Sequence, residues 1–238
     1  MLRMALSDED LDVRRLVVKS LGRLGSLDPS AVIPVVDKAL SDQIPDVRRA
    51  AAESLRQLEI TDPGTVLPIW QKALSDENGW VRESALKGLA QLGSAAPGAL
   101  PRILERALSD ESVRVRRVAA DNLGLLGSAG ELLKKALSDE DHVVREFAAR
   151  SLGRLGSVDP AAILMLDMAL RDTDVDVRLN TVRSLGQLGS ADPGAVLPLL
   201  QTALDDNDSG VRHDALSSML ATGGDSVAEY AFCIFGIL

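Results

Sequence analysis

The sequence lacks the residues on which several classes of protein depend. Its 238 residues include one cysteine, Cys233, which excludes an intrachain disulfide and a cysteine-based zinc cluster. Aromatic residues make up 3% of the chain and hydrophobic residues 46%, so we expect a core of Leu, Val, Ile and Ala in closely packed helices. No apolar run approaches the roughly 18 residues of a membrane span, and no signal peptide is recognisable. These features predict a cytoplasmic protein without a membrane segment.

An excess of basic residues is also lacking. The net charge is −9 and the pI about 4.8, which weighs against nonspecific binding of nucleic acid or anionic membranes by the whole surface. Nineteen of the 35 acidic residues fall in short turns that recur along the chain, so we expect one acidic edge. The second helices described below carry more basic than acidic residues in three exposed columns, which predicts a mildly basic face unless these are simply solvated positions.

What the chain does contain is an internal repeat. Variants of the segment A-L-S-D-E-D-H-V-V-R-E-F-A-A-R-S-L-G-R-L-G-S, found at residues 136–157, recur at spacings of 34, 34, 34, 29, 33 and 34 residues. The repeats start at Ala5, Ala39, Ala73, Ala107, Ala136, Ala169 and Ala203. We therefore predict one domain over residues 1–238 with about seven repeats, a shortened repeat at 107–135 with a stunted first helix and altered curvature, and a divergent closing helix at 225–238.

Each repeat is predicted to contain two helices. The first begins at an Asp-Pro pair, in which the aspartate caps the helix and the proline takes its first position; the pairs start at Asp28, Asp62, Asp159 and Asp192. The second ends at a glycine expected to adopt a left-handed conformation: Gly25, Gly93, Gly127, Gly156 and Gly189. A further glycine inside the second helix, at Gly22, Gly153 and Gly186, predicts a neighbouring helix too close to admit a side chain.

The paired A-L-S-D and V-R motifs, with L-G-x-L-G closing each second helix, resemble the HEAT-like repeats, including those of phycobilisome lyase-type proteins and bacterial repeat sensors. The resemblance implies an all-α fold, a right-handed α-α superhelix whose second helices line the concave face. It also implies a ladder of turn aspartates and second-helix arginines between adjacent repeats. The aspartates are Asp8, Asp42, Asp76, Asp110, Asp139, Asp172 and Asp206, and the arginines are Arg14, Arg48, Arg82, Arg116, Arg145, Arg178 and Arg212.

The sequence offers little for catalysis or metal binding. The two histidines, His142 and His213, stand near the starts of second helices, and neither belongs to the repeated His-Glu pairs of a deoxyhypusine hydroxylase-like enzyme. The series from Asp172 to Asp176 imitates the start of a calcium loop, but Val177 stands where that loop needs glycine. We predict no cofactor and no metal.

Function in a repeat protein is expected where the repeats differ, because positions shared by every repeat serve packing. The central repeats differ by aromatic and apolar residues flanked by arginines, the composition of a binding hot spot. The predicted partner-binding residues are Trp80, Ser84, Arg114, Arg117, Val118, Asp121, Val143, Phe147 and Arg150. The alternative interpretation is that Trp80 and Phe147 only fill gaps beside the shortened repeat, whereas Trp70 is predicted to lie in the core.

The functional prediction is therefore a noncatalytic scaffold that binds a protein or peptide on its second-helix face. Two alternatives stay open: a bilin lyase-type enzyme subunit, which the resemblance permits, and a nucleic-acid binding HEAT-like module, which the basic columns allow and the acidic edge opposes. The oligomeric state is not predicted.

Overall fold

The computed structural model describes residues 5–24, 29–58, 62–92, 98–126, 130–156 and 160–223. Over these residues the chain forms thirteen α-helices, one short 3₁₀ helix and no β-strand. The α-helices are α1 (Leu11–Leu24), α2 (Pro29–Ala39), α3 (Pro45–Arg56), α4 (Pro63–Leu74), α5 (Gly79–Leu92), α6 (Leu100–Ala107), α7 (Val113–Asp121), α8 (Gly130–Leu137), α9 (His142–Leu155), α10 (Pro160–Ala169), α11 (Val175–Leu188), α12 (Pro193–Ala203) and α13 (Ser209–Gly223). The all-α repeat fold of the solenoid class is confirmed.

The chain divides into two compact units, Met1–Val118 and Ala119–Leu238. Within the first unit, α1 packs on α3 and α3 on α5; within the second, α9 packs on α11 and α11 on α13. In each of these pairs a second helix lies against the second helix of the next repeat, as expected for a stack of helix pairs. The predicted single domain over residues 1–238 stays a prediction, and the closing helix at 225–238 lies outside the described residues.

The predicted helix signals are confirmed where the structure describes them, with one exception. Asp62 accepts hydrogen bonds from the backbone N–H groups of Gly64 and Thr65, and Asp192 from that of Ala195. Gly156 ends α9 in the left-handed conformation with φ 66°. Gly189 does not, since its φ of −58° continues the right-handed helix, so the prediction for it was wrong. The remaining signals lie outside the described residues: Asp28, Asp159, Gly25, Gly93 and Gly127.

The shortened repeat differs from the others in its second helix. Its first-helix counterpart α8 has 8 residues, but so does α6 of the repeat before it, so the stunted helix stays a prediction. The second helix α7 ends early at Asp121, and the chain continues as a 3₁₀ turn over Leu123–Leu125. The expected change of curvature between Leu126 and Ala136 stays a prediction.

The core is aliphatic, as the composition predicted. The buried side chains are mainly Leu, Val and Ala, and Trp70 is only 2% exposed, which confirms its predicted place in the core. Its ring lies where a side chain on Gly88 would stand. Gly153 and Gly186 lie so close to Ser184 of α11 and Ser218 of α13 that an added Cβ would clash, which confirms the predicted close packing at these two glycines. At Gly22 the nearest atoms belong to the side chain of Gln57, just past the end of α3.

Successive repeats are joined at their turns by the arginine ladder. Each arginine donates through Nε and Nη2 to the turn aspartate of the next repeat, with Nε to Oδ2 distances between 2.6 and 3.0 Å. The ladder is confirmed for five pairs: Arg14–Asp42, Arg48–Asp76, Arg82–Asp110, Arg145–Asp172 and Arg178–Asp206. The remaining nitrogen, Nη1, binds backbone carbonyls of the arginine's own turn, as it also does in Arg116 and Arg212. The planar guanidinium suits this arrangement because it presents donors in two directions at once.

Candidate functional site

The first predicted site residue, Trp80, is on the surface. It is the second residue of α5, where its backbone N–H donates to the side-chain oxygen of Asn78 at 2.9 Å. Its side chain is 44% exposed, whereas the other tryptophan, Trp70, is buried. A large exposed aromatic side chain is unusual in a protein with so few aromatic residues, so this position is a candidate contact rather than a gap filler.

Two arginines from the neighbouring second helices approach the ring of Trp80. The guanidinium carbon of Arg114, on α7, lies 3.7 Å from the ring centroid, and that of Arg49, on α3, lies 5.6 Å from it. Both distances are within the range of a cation–π interaction, for which tryptophan is the best partner. We call these three residues the Trp80 surface. Arg114 was predicted from the sequence and Arg49 was not.

The other residues predicted in the first unit contribute less surface. Ser84 and Arg117 are half-buried. Val118 is only 9% exposed and packs in the core, which corrects the expectation that it presents an apolar contact. It faces inward because it lies in α7 beside Ala119 and Ala120, which are fully buried.

In the second unit the predicted residues Asp121, Phe147 and Arg150 come together. The guanidinium carbon of Arg150 lies 4.4 Å from the centroid of the Phe147 ring, and its Nη2 donates to Asp121 Oδ1 at 2.8 Å. Arg154 Nη1 donates to the same oxygen at 3.0 Å. Phe147 is half-buried, as is the predicted Val143. We call Asp121, Phe147 and Arg150 the Phe147 cluster.

Glu146 precedes Phe147 on α9 and is half-buried. Burial raises its pKa above the ordinary value, which Arg150 opposes and Asp176 and Asp174 reinforce. Its Oε1 accepts a hydrogen bond from Asn180 Nδ2 at 3.2 Å. This carboxylate is therefore held in place by the next second helix, and its environment disfavours the charged form.

The expected basic face is mostly neutralised by neighbouring acids. Arginines and lysines of the second-helix columns form ion pairs at 2.6 to 3.5 Å: Arg15–Asp12, Arg49–Glu53, Lys87–Glu83, Arg150–Asp121, Arg154–Asp121 and Arg183–Asp214. The acidic edge is likewise weaker than its composition indicates, because the ladder arginines bind the turn aspartates. Glu77 and Glu111, whose side chains are exposed, also pair with ladder arginines, Arg48 and Arg82, at 3.1 and 3.2 Å.

The residues considered for metal binding have other contacts. Asp172 accepts from Arg145, and Asp174 caps α11 by accepting from the N–H groups of Asp176 and Val177. His142 and His213 are both exposed, and His213 Nδ1 lies 3.3 Å from Asp214 Oδ1. Within the ranges that the structure describes, no group of three or more His, Cys, Asp or Glu side chains is placed to hold a metal ion. None of the helices in those ranges is both long enough and apolar enough to cross a membrane.

The stacked helix pairs with a turn ladder define an α-helical repeat protein. A family model described as HEAT repeats matches residues 1–66, 33–124, 100–172 and 165–230. The chain therefore belongs to the HEAT repeat family. No curated protein matches the sequence.

Solved structures show the same fold at low identity. The E. coli protein YibA is 21% identical with a TM-score of 0.71 over 100% of this chain and 86% of that one. A chain of the Kap95p complex with RanGDP is 16% identical with a TM-score of 0.68 over 99% of this chain, which spans only 37% of that one. The phycocyanin lyase complex of CpcE and CpcF from Nostoc is 22% identical with a TM-score of 0.51 over 100% and 93%. These similarities support the assignment of the fold and say nothing about the function of this chain.

Proposed function

We propose that this chain is a noncatalytic, cytoplasmic interaction module that binds a protein or peptide through the Trp80 surface. The observation that carries the proposal is the exposed ring of Trp80 with the guanidinium groups of Arg49 and Arg114 beside it. Tryptophan and arginine are the residues most enriched in the hot spots of protein interfaces. The fold supplies three successive second helices, α3, α5 and α7, that present one of these side chains each.

The Trp80 surface is partly organised before any partner binds. Stacking on the indole restricts the side chain of Arg114, so less conformational entropy is lost when a partner orders it. A stacked guanidinium also keeps its N–H groups available at the edge, where they can donate to carbonyl or carboxylate oxygens. The surface therefore suits a partner with an apolar side chain beside a hydrogen-bond acceptor.

The Phe147 cluster is a second candidate contact, in the other unit. Its arginine is more constrained, because Arg150 is shared between the Phe147 ring and Asp121. Its Nε is buried and has no hydrogen-bond partner within the described part of the chain. The half-buried ring offers less contact area than Trp80, so we assign the Phe147 cluster a smaller share of the binding energy.

The experiment is affinity capture from the source cell with the immobilised chain, followed by titration of each captured protein. Trp80→Ala should weaken the specific partner at least tenfold, which corresponds to about 1.4 kcal/mol or more, and Trp80→Ala with Phe147→Ala should weaken it further. Leu16→Ala is the matched control, because Leu16 is a large exposed apolar side chain on second helix α1 of the same unit. Full affinity in the double variant would contradict the proposal.

Two measurements separate this role from the alternatives predicted from the sequence. A bilin-dependent absorbance band on mixing the chain with chromophore would indicate a lyase-type subunit. Affinity for nucleic acid that falls steeply with salt would indicate a nucleic-acid binding module. The paired charges of the second-helix columns support the protein-binding role over the latter, since each neutralising acid opposes a phosphate contact.

A further inference from the structure

The first unit contains a groove that shares no residue with the Trp80 surface. It lies between α4 and α6 and has a volume of about 400 Å³. Leu74, Ile103 and Val115 contribute its apolar lining, and Arg102 and Arg106 are the arginines of α6 that border it. The groove thus combines aliphatic surface with two cationic groups.

In the preceding repeat, the residue at the position of Arg106 forms an ion pair. There the lysine before the A-L motif, Lys72, donates to Asp37 Oδ1 at 2.8 Å and so links α4 to α2. In the next repeat the same two positions hold Arg106 and Gln71. An amide replaces the carboxylate, so the cation of α6 has no anion at the corresponding place on α4.

Arg102 lies one helical turn before Arg106 on the same face of α6. Other first helices carry proline at its position: Pro34, Pro68 and Pro198. Both arginines are exposed, and over the described residues neither makes a hydrogen bond or an ion pair. The third arginine of the groove, Arg82, is already bound to Asp110 and Glu111.

Two like charges four residues apart on a helix destabilise it by about 0.2–0.5 kcal/mol. Exposed arginines elsewhere, such as Arg171 and Arg183, are paired with acids, whereas over the described residues neither arginine of α6 is. An unpaired arginine can donate two parallel hydrogen bonds to a carboxylate. The charge of this rim is therefore complementary to an anionic ligand.

We propose that the groove between α4 and α6 binds an acidic peptide segment of a partner protein. An aliphatic side chain of the segment packs against Leu74, Ile103 and Val115, and carboxylates on either side of it pair with Arg102 and Arg106. The two arginines of the site lie on first helix α6, whereas the residues of the Trp80 surface lie on second helices α3, α5 and α7, so the two sites share no residue.

The test is fluorescence anisotropy of the full chain with a labelled Glu-Glu-Leu-Glu-Leu-Glu-Glu peptide, and with its Gln-Gln-Leu-Gln-Leu-Gln-Gln counterpart. We expect the acidic peptide to bind and the neutral one to bind at least tenfold more weakly. The double variant Arg102→Gln with Arg106→Gln should lose at least tenfold in affinity for the acidic peptide. Arg171→Gln is the control, since Arg171 is an exposed arginine in the turn after first helix α10 that is paired with Asp167, and it should leave the affinity unchanged.

Other outcomes overturn the proposal. Equal binding by the chain and by the Arg102 and Arg106 double variant, or no binding of the acidic peptide at all, excludes this groove as its site. Self-association that the same double variant abolishes identifies an acidic turn of a second copy as the occupant instead. Trp80→Ala should bind the acidic peptide normally, so failure of this proposal is distinguishable from failure of the protein-binding role.

Discussion

The guanidinium of Arg82 shows how much one residue of the ladder connects. Its Nε and Nη2 bind Asp110 in the next repeat at 2.8 and 2.6 Å, and its Nη1 binds the carbonyls of Asp76 and Glu77 in its own turn, both at 2.9 Å. Hydrogen bonding to Asp110 raises the pKa of Arg82, against the opposing effect of burial. The residue therefore stays charged, and its removal strands a carboxylate and two carbonyls together.

Arg82→Ala should lower the free energy of unfolding by about 2–4 kcal/mol, because breaking one partner of a nearly buried ion pair leaves the other without compensation. Arg82→Lys should recover only part of the loss, since an ammonium cannot serve both sides at once. Urea denaturation checks both values. Arg171→Ala removes an exposed ion pair within a single repeat and should cost under about 1 kcal/mol. Equal, small effects at both positions would contradict a structural role for the ladder.

The ladder aspartates also predict a pH dependence. Burial disfavours the charged form of Asp172 and Asp206, but hydrogen bonds from Arg145 and Arg178 hold the pKa of each below its ordinary value of 3.8. The folded state therefore binds fewer protons than the unfolded state, so this stability is fully present above about pH 4 and is lost as the pH falls through the folded-state values. Thermal melts from pH 7 to pH 2 should show the loss.

Asp206→Asn provides the comparison for that measurement. It removes one of the titrating groups, so the variant should be less stable at pH 7 and should lose less stability than the parent on acidification. Asp167→Asn removes a half-buried carboxylate of α10 that pairs with Arg171 in the turn just after the same helix, and its profile should follow that of the parent. If Asp206→Asn and the parent lost stability in parallel as the pH falls, Asp206 would be excluded as a cause of the acid sensitivity.

Sequence reasoning identified Trp80 and Arg114 but not the way in which they interact. Both precede the V-R valine of their repeats, so they occupy equal positions on neighbouring second helices, and this register could have predicted their contact. Arg49 occupies a different position, three residues further along its helix, and only the reach of its side chain brings it near the ring. Val118 failed as a prediction because variation between repeats does not by itself imply exposure: Ala50, at the same distance from its V-R valine in α3, is buried as well.

At the scale of elements, two second helices approach each other closely at an interior glycine. A Cβ built on Gly153 in α9 would lie 2.9 Å from the backbone Cα of Ser184 in α11. The same serine donates through Oγ to the carbonyl oxygen of Ala149 at 2.8 Å. Because backbone stands opposite the glycine, the helices themselves would have to separate to admit a side chain.

Gly153→Ala should therefore destabilise the protein by about 1–3 kcal/mol, the usual cost of overpacking a filled interface, despite the better helix propensity of alanine. Gly130→Ala is the control in the same unit, because nothing lies within 4 Å of a Cβ at Gly130. That variant should be neutral or slightly more stable. Thermal denaturation distinguishes the two, and stabilisation by Gly153→Ala would mean that the helices are not in close contact.

The number and order of the helices could be predicted because each repeat restates the same pattern of apolar residues, caps and glycines. The early end of α7 could not be predicted from its glycine. Gly124 occupies the same position in its repeat as Gly153, and Gly153 lies within helix α9. The difference lies at Asn122, which replaces the serine found at Ser151 and Ser184 and takes up φ −97° and ψ 0°. A single substitution of this kind is visible in the sequence, but whether it ends the helix depends on its contacts with the neighbouring helix.

At the scale of the whole molecule, the negative charge and its pairing decide which partners are attracted. The net charge is −9, and the cations of the second-helix columns are largely bound to acids on the same or neighbouring helices. Binding to DNA depends on unpaired cations that displace counterions from the phosphates.

We expect no measurable binding of double-stranded DNA at about physiological salt, where nonspecific binders commonly reach dissociation constants near 10⁻⁴–10⁻⁶ M. Anisotropy of a labelled duplex, titrated with the chain at low and at physiological salt, checks this. Micromolar affinity with a steep salt dependence would show that the ion pairs open in favour of phosphate and would contradict the expectation.

The ladder has a consequence for how such chains change length during evolution. The rung from Arg178 to Asp206 spans 28 residues and the rung from Arg145 to Asp172 only 27, yet their shortest distances are 2.7 and 2.6 Å. The ladder joins the repeats at their turns, so a connection elsewhere in a repeat can gain or lose a residue without breaking a rung. A duplication or deletion that begins and ends in the turns carries an arginine and an aspartate with it, and leaves no unmatched charge at the seam. Unequal recombination between repeats can therefore produce longer and shorter chains in which the arginine ladder remains fully paired.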